Sequence, residues 1–165
     1  MNTAKKLINE SNIIFLFIGD GAQNKKLREF VYENRLKNCK FLPYQNFKDT
    51  RFSLTSADLA CVSLNENASE IVAPSKLYGH LAAGTPIAAI CSKDSYLAEL
   101  VLQKGFGRHF ENGNYYDLSE WILELKKSKS LKKVYKKKSR EYIKLNASPN
   151  VITKKYLEVI YDTIN

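Results

Sequence analysis

This 165-residue sequence predicts an α/β fold, a mostly parallel sheet covered by helices. Two observations carry that expectation. Strand-like and helix-like segments alternate with short loops from about residue 4 to residue 125. The first strand-like run is also continuously apolar after its first residue, as a strand buried on both faces of a parallel sheet would be.

That run is Asn12 to Ile18, with Ile13, Ile14, Phe15, Leu16, Phe17 and Ile18 in succession. Residues 23 to 37 read as a helix, because Leu27, Phe30, Val31 and Asn34 share one stripe that leaves Lys25, Lys26, Glu29 and Glu33 outside it. Cys39 to Leu42 is a short strand stopped by Pro43, and Lys48 to Ser56 a short helix. Asp58 to Leu64 is a strand. Ser75 to Ala83 is a helix ended by Gly84 and Pro86. Ile87 to Ile90 is the next strand, Asp94 to Gln103 a helix closed by Lys104 and Gly105, Phe106 to Phe110 an edge strand, and Tyr116 to Lys127 a helix. Two more helices, about 131 to 145 and 150 to 164, complete a single domain over 1–165, with its core at about 4–127.

Composition sets the class. Apolar and charged fractions of 44% and 26% are those of an ordinary globular domain, and a chain this long buries roughly 70% of its unfolded surface. Cys39, Cys61 and Cys91 are far apart, without CxxC spacing or a nearby His, and are expected to be reduced core thiols in a cytoplasmic protein. No metal site is expected. The longest strongly apolar run, Ile13 to Ile18, is too short to cross a membrane, and no apolar signal segment follows the N-terminus. The net charge of +9 is concentrated late. Lys126 to Lys144 carries ten Lys or Arg and one Glu.

Three loops carry candidate chemistry. Gly19-Asp20-Gly21-Ala22 joins a strand to a helix, aiming amides and the helix dipole at the carboxyl edge of the sheet. Asn24 stands where a dinucleotide fingerprint needs its third glycine, which disfavours NAD. Pro43 and Tyr44 follow the second strand, where a flat heterocycle could lie against them. Ala73-Pro74-Ser75-Lys76-Leu77-Tyr78-Gly79 opens a helix whose first-turn amides can bind a diphosphate. Lys76 opposes the helix dipole there unless an anion arrives. His80 and His109 have no paired Ser, Cys or carboxylate at an interpretable spacing and receive no catalytic role.

The order FLFIGDGA, FLPYQ, SADLACVSL, PSKLYGHLAAGTPIAAI and a final helix with ITKKYLEVI resembles the C-terminal domain of family 4 (group 1) glycosyltransferases, from about residue 4 to the end. The PSKLYG form resembles the subgroup that builds bacterial surface polysaccharides. The resemblance implies a Rossmann-like three-layer sandwich, the C-terminal half of a GT-B fold, in a retaining enzyme. Its substrate would be a nucleotide-sugar donor, commonly a uridine-diphosphate sugar, with no cofactor. On matching positions Gly19, Gly21, Pro43, Tyr44, Ser75, Lys76, Leu77 and Gly79 would line the donor site, with the base near Pro43 and Tyr44, the diphosphate near the Ser75 to Leu77 turn, and Gly79 where the family often holds the ribose hydroxyls. Two family glutamates eight positions apart match imperfectly: the second falls at Gly79 and the first near Ile71, leaving adjacent Glu70 as the catalytic candidate.

The resemblance also implies that Met1 to Glu10 is the end of a first helix. The first strand, its loop and the acceptor domain would then lie outside these residues, and this half would be inactive alone. Its partners would be the nucleotide sugar and either a separate acceptor-domain polypeptide or a second copy at the missing-half surface. The basic segment bears Leu131, Val134, Tyr135, Tyr142 and Leu145 at helical spacing. It is expected either to dock with a solvated lysine face or to rest peripherally on the anionic inner face of a membrane. Nucleic acid is disfavoured, because no aromatic stacking platform accompanies the lysines. A non-catalytic binding or scaffold module is the alternative from another class.

Overall fold

The computed structural model describes residues 1–65 and 74–164. Its elements run α1 (Asn2–Lys6), β1 (Phe15–Ile18), α2 (Asn24–Glu33), β2 (Cys39–Leu42), α3 (Phe47–Ser56), β3 (Ala60–Ser63), α4 (Ser75–Ala83), β4 (Ile87–Ile90), α5 (Tyr96–Lys104), β5 (Gly107–Phe110), α6 (Tyr115–Lys127), α7 (Lys129–Tyr142), a π-helical turn (Ile143–Ala147) and α8 (Pro149–Ile164). They form two compact units, Met1–Phe52 with Gly113–Lys127, and Ser53–Asn112 with Ser128–Asn165.

In the first unit β1 and β2 pair in parallel, Phe15 opposite Cys39 and Ile18 opposite Leu42. The expectation that β1 is buried on both faces is corrected. Phe15 and Phe17 are half-buried, but Leu16 and Ile18 are 45% and 39% exposed. β1 has a single hydrogen-bonded neighbour among the described strands, so it is not a central strand there. Phe17 stacks on Phe41 with ring centroids 5.0 Å apart, and the Arg28 guanidinium lies 4.5 Å from the Phe41 ring. Helix α2 ends four residues short of the expected 37, because Arg35 takes a left-handed φ of 51°. The core of this unit lies between α1, with Ala4 and then Leu7, and the Leu118, Trp121, Ile122 and Leu125 face of α6.

In the second unit β3, β4 and β5 form a parallel sheet in that order. Leu77, Leu81, Ile87, Leu97, Val101 and Phe106 are almost wholly buried. Each such aliphatic or aromatic side chain contributes about 1.5–3 kcal/mol on leaving water. Helices α4 and α5 both end on a left-handed glycine, Gly84 and Gly105. Ser95 caps α5, its Oγ accepting from the Ala98 amide and donating to Cys91 Sγ at 3.0 Å. Cys91 is the one cysteine in the core. The core reading is corrected for Cys61, which shares the exposed face of β3 with Ser63 while Ala60 and Val62 point inward; Cys39 is half-buried.

Much of the basic segment has structural work within this unit. Lys132 Nζ lies 2.8 Å from Asp58 Oδ1, and Arg140 Nη2 donates to the Ala83 carbonyl at 3.3 Å. Lys136 and Arg140 cover Gly84, and the Lys138 ammonium sits over Gly105. The Arg140 guanidinium and the Lys138 ammonium thereby meet the negative ends of α4 and α5, while Lys136 lays its Cγ over Gly84. The expected apolar stripe is only partly covered, since Tyr135 is buried but Val134 and Leu145 are exposed. Tyr142 packs on Phe106, and Tyr96 hydrogen-bonds it; burial first, then Tyr96, pushes its phenol up to about 12.

Candidate functional site

The Gly19 turn forms because β1 ends in parallel register with β2 and the chain must reverse toward α2. Gly19 has a φ of 99°, which a side chain would strain, and its amide donates to the Leu42 carbonyl at 3.1 Å. Asn24 explains the absent third glycine: its Nδ2 donates to the Gly19 carbonyl at 3.0 Å, and its Oδ1 accepts from Arg28 Nε at 2.7 Å. The Tyr44 ring lies beside Gly19, 3.6 Å from where a Cβ would stand, and is 87% exposed. Gly21 faces open space. The structure therefore brings Gly19 and Tyr44 together at the carboxyl end of β1 and β2. Sequence reasoning passed over Arg28 and Asn24 as functional partners. Their signal was the helical i, i+4 spacing of two hydrogen-bonding side chains beside a glycine turn.

In the second unit Pro74 is the N-cap of α4, and among the described residues no side chain caps its amides. Ser75 and Lys76 are exposed at this open turn, while Leu77 is buried in the core. Gly79 has a packing reason, since a Cβ there would stand 3.2 Å from Leu54 Cδ1. A longer acidic side chain at that position would have to displace Leu54, in keeping with the missing glutamate. Glu70, and Ile71 beside it, lie outside the described residues.

His80 follows Lys76 by one helical turn, and its Nδ1 is buried without a hydrogen-bond partner among the described residues. Burial first, then the Lys76 charge, holds its imidazole below the usual range. The unfolded chain thus takes up a proton that the folded chain refuses, and stability falls as pH drops below about 6.5. His80→Gln is expected to flatten the fall in melting temperature between pH 7.5 and pH 5.5. A variant curve parallel to the wild type would assign the slope to other groups. His109 Nε2 instead lies 2.9 Å from the Cys91 carbonyl.

A depression of about 380 Å³ is lined by Asn2, Lys5, Lys6, Tyr115 and Tyr116, none of them a predicted site residue. Lys6 is engaged there, 3.5 Å from Glu120 and 5.0 Å from the Tyr116 ring centroid. Among the described residues no group of three or more His, Cys, Asp or Glu could hold a metal, and no helix is long and apolar enough to cross a membrane.

Parallel strands joined through helices, with a glycine turn at one strand end and an open helix start in the second unit, define the class, and solved structures share it. A glycosyltransferase from Rickettsia africae superposes with a TM-score of 0.78 over 99% of this chain and 44% of its own, at 15% identity. TarM of S. aureus, solved in complex with UDP among other ligands, gives 0.76 over 95% and 31%, at 18% identity. WaaG, a glycosyltransferase involved in lipopolysaccharide biosynthesis, gives 0.72 over 93% and 40%, at 16% identity. The fold is that of the GT-B glycosyltransferases. The family described as Glycosyl transferases group 1 matches residues 2–142, and the chain belongs to it. Among curated relatives, the probable glycosyltransferase WbjE of Pseudomonas aeruginosa is 28% identical over 105 residues, which are 64% of this chain and 26% of the relative. An uncharacterized glycosyltransferase of Methanocaldococcus jannaschii, MJ1178, is 28% identical over 144 residues, 83% of this chain and 37% of the relative. The chain thus spans well under half the length of either.

Proposed function

We propose that this domain binds the nucleotide-sugar donor, a uridine-diphosphate sugar, of a retaining glycosyltransferase that acts at the cytoplasmic side in polysaccharide or glycan synthesis. The observation that carries the reading is the start of α4, which no described side chain caps, with Lys76 exposed in its first turn, in a chain of the group 1 family. Amides at the positive end of the helix suit a diphosphate, and a bound anion would give Lys76 a counter-charge that no described residue supplies. The same groups would stabilise the charge that develops on the departing nucleoside diphosphate. In the first unit, the exposed Tyr44 ring beside the Gly19 turn supports a role for Pro43 and Tyr44 at the base. Transfer also requires an acceptor held against the donor. We assign that role to an acceptor domain additional to these residues, so that they bind donor without transferring sugar.

The test is titration calorimetry with uridine diphosphate. Lys76→Ala is expected to weaken binding about tenfold, the loss of one charge-assisted contact, and Lys76→Glu to weaken it further. No heat at millimolar nucleotide with the fold intact, or equal affinity in all three proteins, would remove the assignment.

A further inference from the structure

The turn after β1 has its carbonyls tied back and its amides left open. Gly19 donates its own amide to Leu42, as above, but Asn24 takes two of the carbonyls that follow. Its Nδ2 donates to the Gly19 carbonyl at 3.0 Å, and its backbone amide donates to the Gly21 carbonyl at 2.8 Å. The amides of Asp20, Gly21 and Ala22 make no hydrogen bond among the described residues, and all three residues are exposed. Successive unpaired amides in a turn are donors in search of an acceptor. The exposed Tyr44 ring lies against the same turn at Gly19.

Arg28 is what fixes Asn24. Its Nε donates to Asn24 Oδ1 at 2.7 Å, which turns Nδ2 of the same amide toward Gly19. The guanidinium is itself held 4.5 Å from the centre of the Phe41 ring, and Phe41 stacks on Phe17. Helix stability does not account for this placement. Helix α2 has no acidic residue in its first turn, and it carries Lys25, Lys26 and Arg28 near its positive end, where cations are unfavourable. Asparagine favours the N-cap, yet Gln23 holds that place without a side-chain bond and Asn24 stands one position inside. Both side chains are committed to the turn. We infer that Asn24 and Arg28 are positioning residues for the base of the nucleotide sugar: Arg28 orients the Asn24 amide, and Asn24 ties back the Gly19 and Gly21 carbonyls so that the open amides and the Tyr44 ring face the base. This rests on the donor-binding reading above. Aspartate at position 24 separates the two links. It keeps the bond from Arg28, now charge-assisted, and suits the positive end of the helix, but it sets an acceptor against the Gly19 carbonyl.

Calorimetry of the full chain with uridine diphosphate and, separately, with pyrophosphate, which has no base, tests this. Asn24→Ala, Asn24→Asp and Arg28→Ala are each expected to weaken uridine diphosphate about fivefold, the worth of one net hydrogen bond, and to leave pyrophosphate unchanged. Lys76→Ala should weaken both ligands. Arg28→Lys keeps a donor for Asn24 and a cation over Phe41, so it should recover most of the affinity. Asn24→Asp should melt no lower than the wild type while losing the same affinity as Asn24→Ala, a separation that a merely structural role for Asn24 does not produce. Asn24→Asp binding uridine diphosphate as the wild type does would overturn the inference, as would pyrophosphate affinity falling in step in the three variants. A wild type that binds pyrophosphate but gains nothing from the uridine would overturn it and leave the diphosphate site standing. A wild type that binds neither would remove the donor-binding reading and this inference with it.

Discussion

Gly107→Ala is expected to cost the second unit about 3 kcal/mol or more, among the largest losses a single methyl group can cause. Gly107 opens β5 directly opposite Ile87 of β4. A Cβ at that position would fall on the Ile87 carbonyl oxygen, with Ile87 C at 2.7 Å and Ile87 N at 2.9 Å. The obstacle is backbone, so no rotamer change relieves it. Sliding β5 away would break the bond from the Ile87 amide to the Phe106 carbonyl, 3.1 Å long, and lift Phe106 out of the core where it is fully buried. Urea unfolding followed by far-UV circular dichroism reads the loss. Gly113→Ala is the control: it has a φ of 87° and open space around it, so only the left-handed strain of about 1–2 kcal/mol is expected. A Gly107→Ala midpoint equal to the wild type would show that the β4–β5 register is wrong.

All five described strands and the described helices from α2 onward were legible in the sequence, because their signals are local. Periodicity marked α2 and α7, and Gly84 and Gly105 marked helix ends by the one conformation that favours glycine. The failures concern neighbours. Leu16 and Ile18 read as core because an unbroken apolar run says nothing about whether a second strand or a covering helix is present. Cys61 read as core for the same reason, although its burial depends on which face of β3 it takes. The lysines of α7 looked like one charged face, yet Lys132, Lys136, Lys138 and Arg140 answer Asp58 and two helix ends that are distant in sequence. At the candidate site, the open start of α4 was legible from Pro74-Ser75-Lys76. That Leu54 fills the space over Gly79 was not, because the contact joins two helices.

Trp121→Ala is expected to remove about 3–5 kcal/mol from the first unit, the usual cost of deleting a buried aromatic side chain and leaving its cavity. Trp121 is the chain's single tryptophan and is 1% exposed. It lies on the buried face of α6 that packs against α1. Helix α1 has five residues, too few to persist without that support. What else holds it is polar: Asn38 Nδ2 donates to the Ala4 carbonyl at 2.8 Å and the Leu7 carbonyl at 3.2 Å, Lys126 reaches Glu10 at 2.7 Å, and Lys6 lies 3.5 Å from Glu120 and over the Tyr116 ring. Those bonds need the segment in place before they form, so they cannot substitute for the indole. Amide hydrogen exchange is the suitable readout, since the variant has lost its fluorophore. Protection of the α1 and α6 amides should collapse in Trp121→Ala and be largely kept in Trp121→Phe, which retains a ring. Protection unchanged in Trp121→Ala would mean that α1 is held by its polar contacts, and that the apolar face of α6 is not the core of this unit.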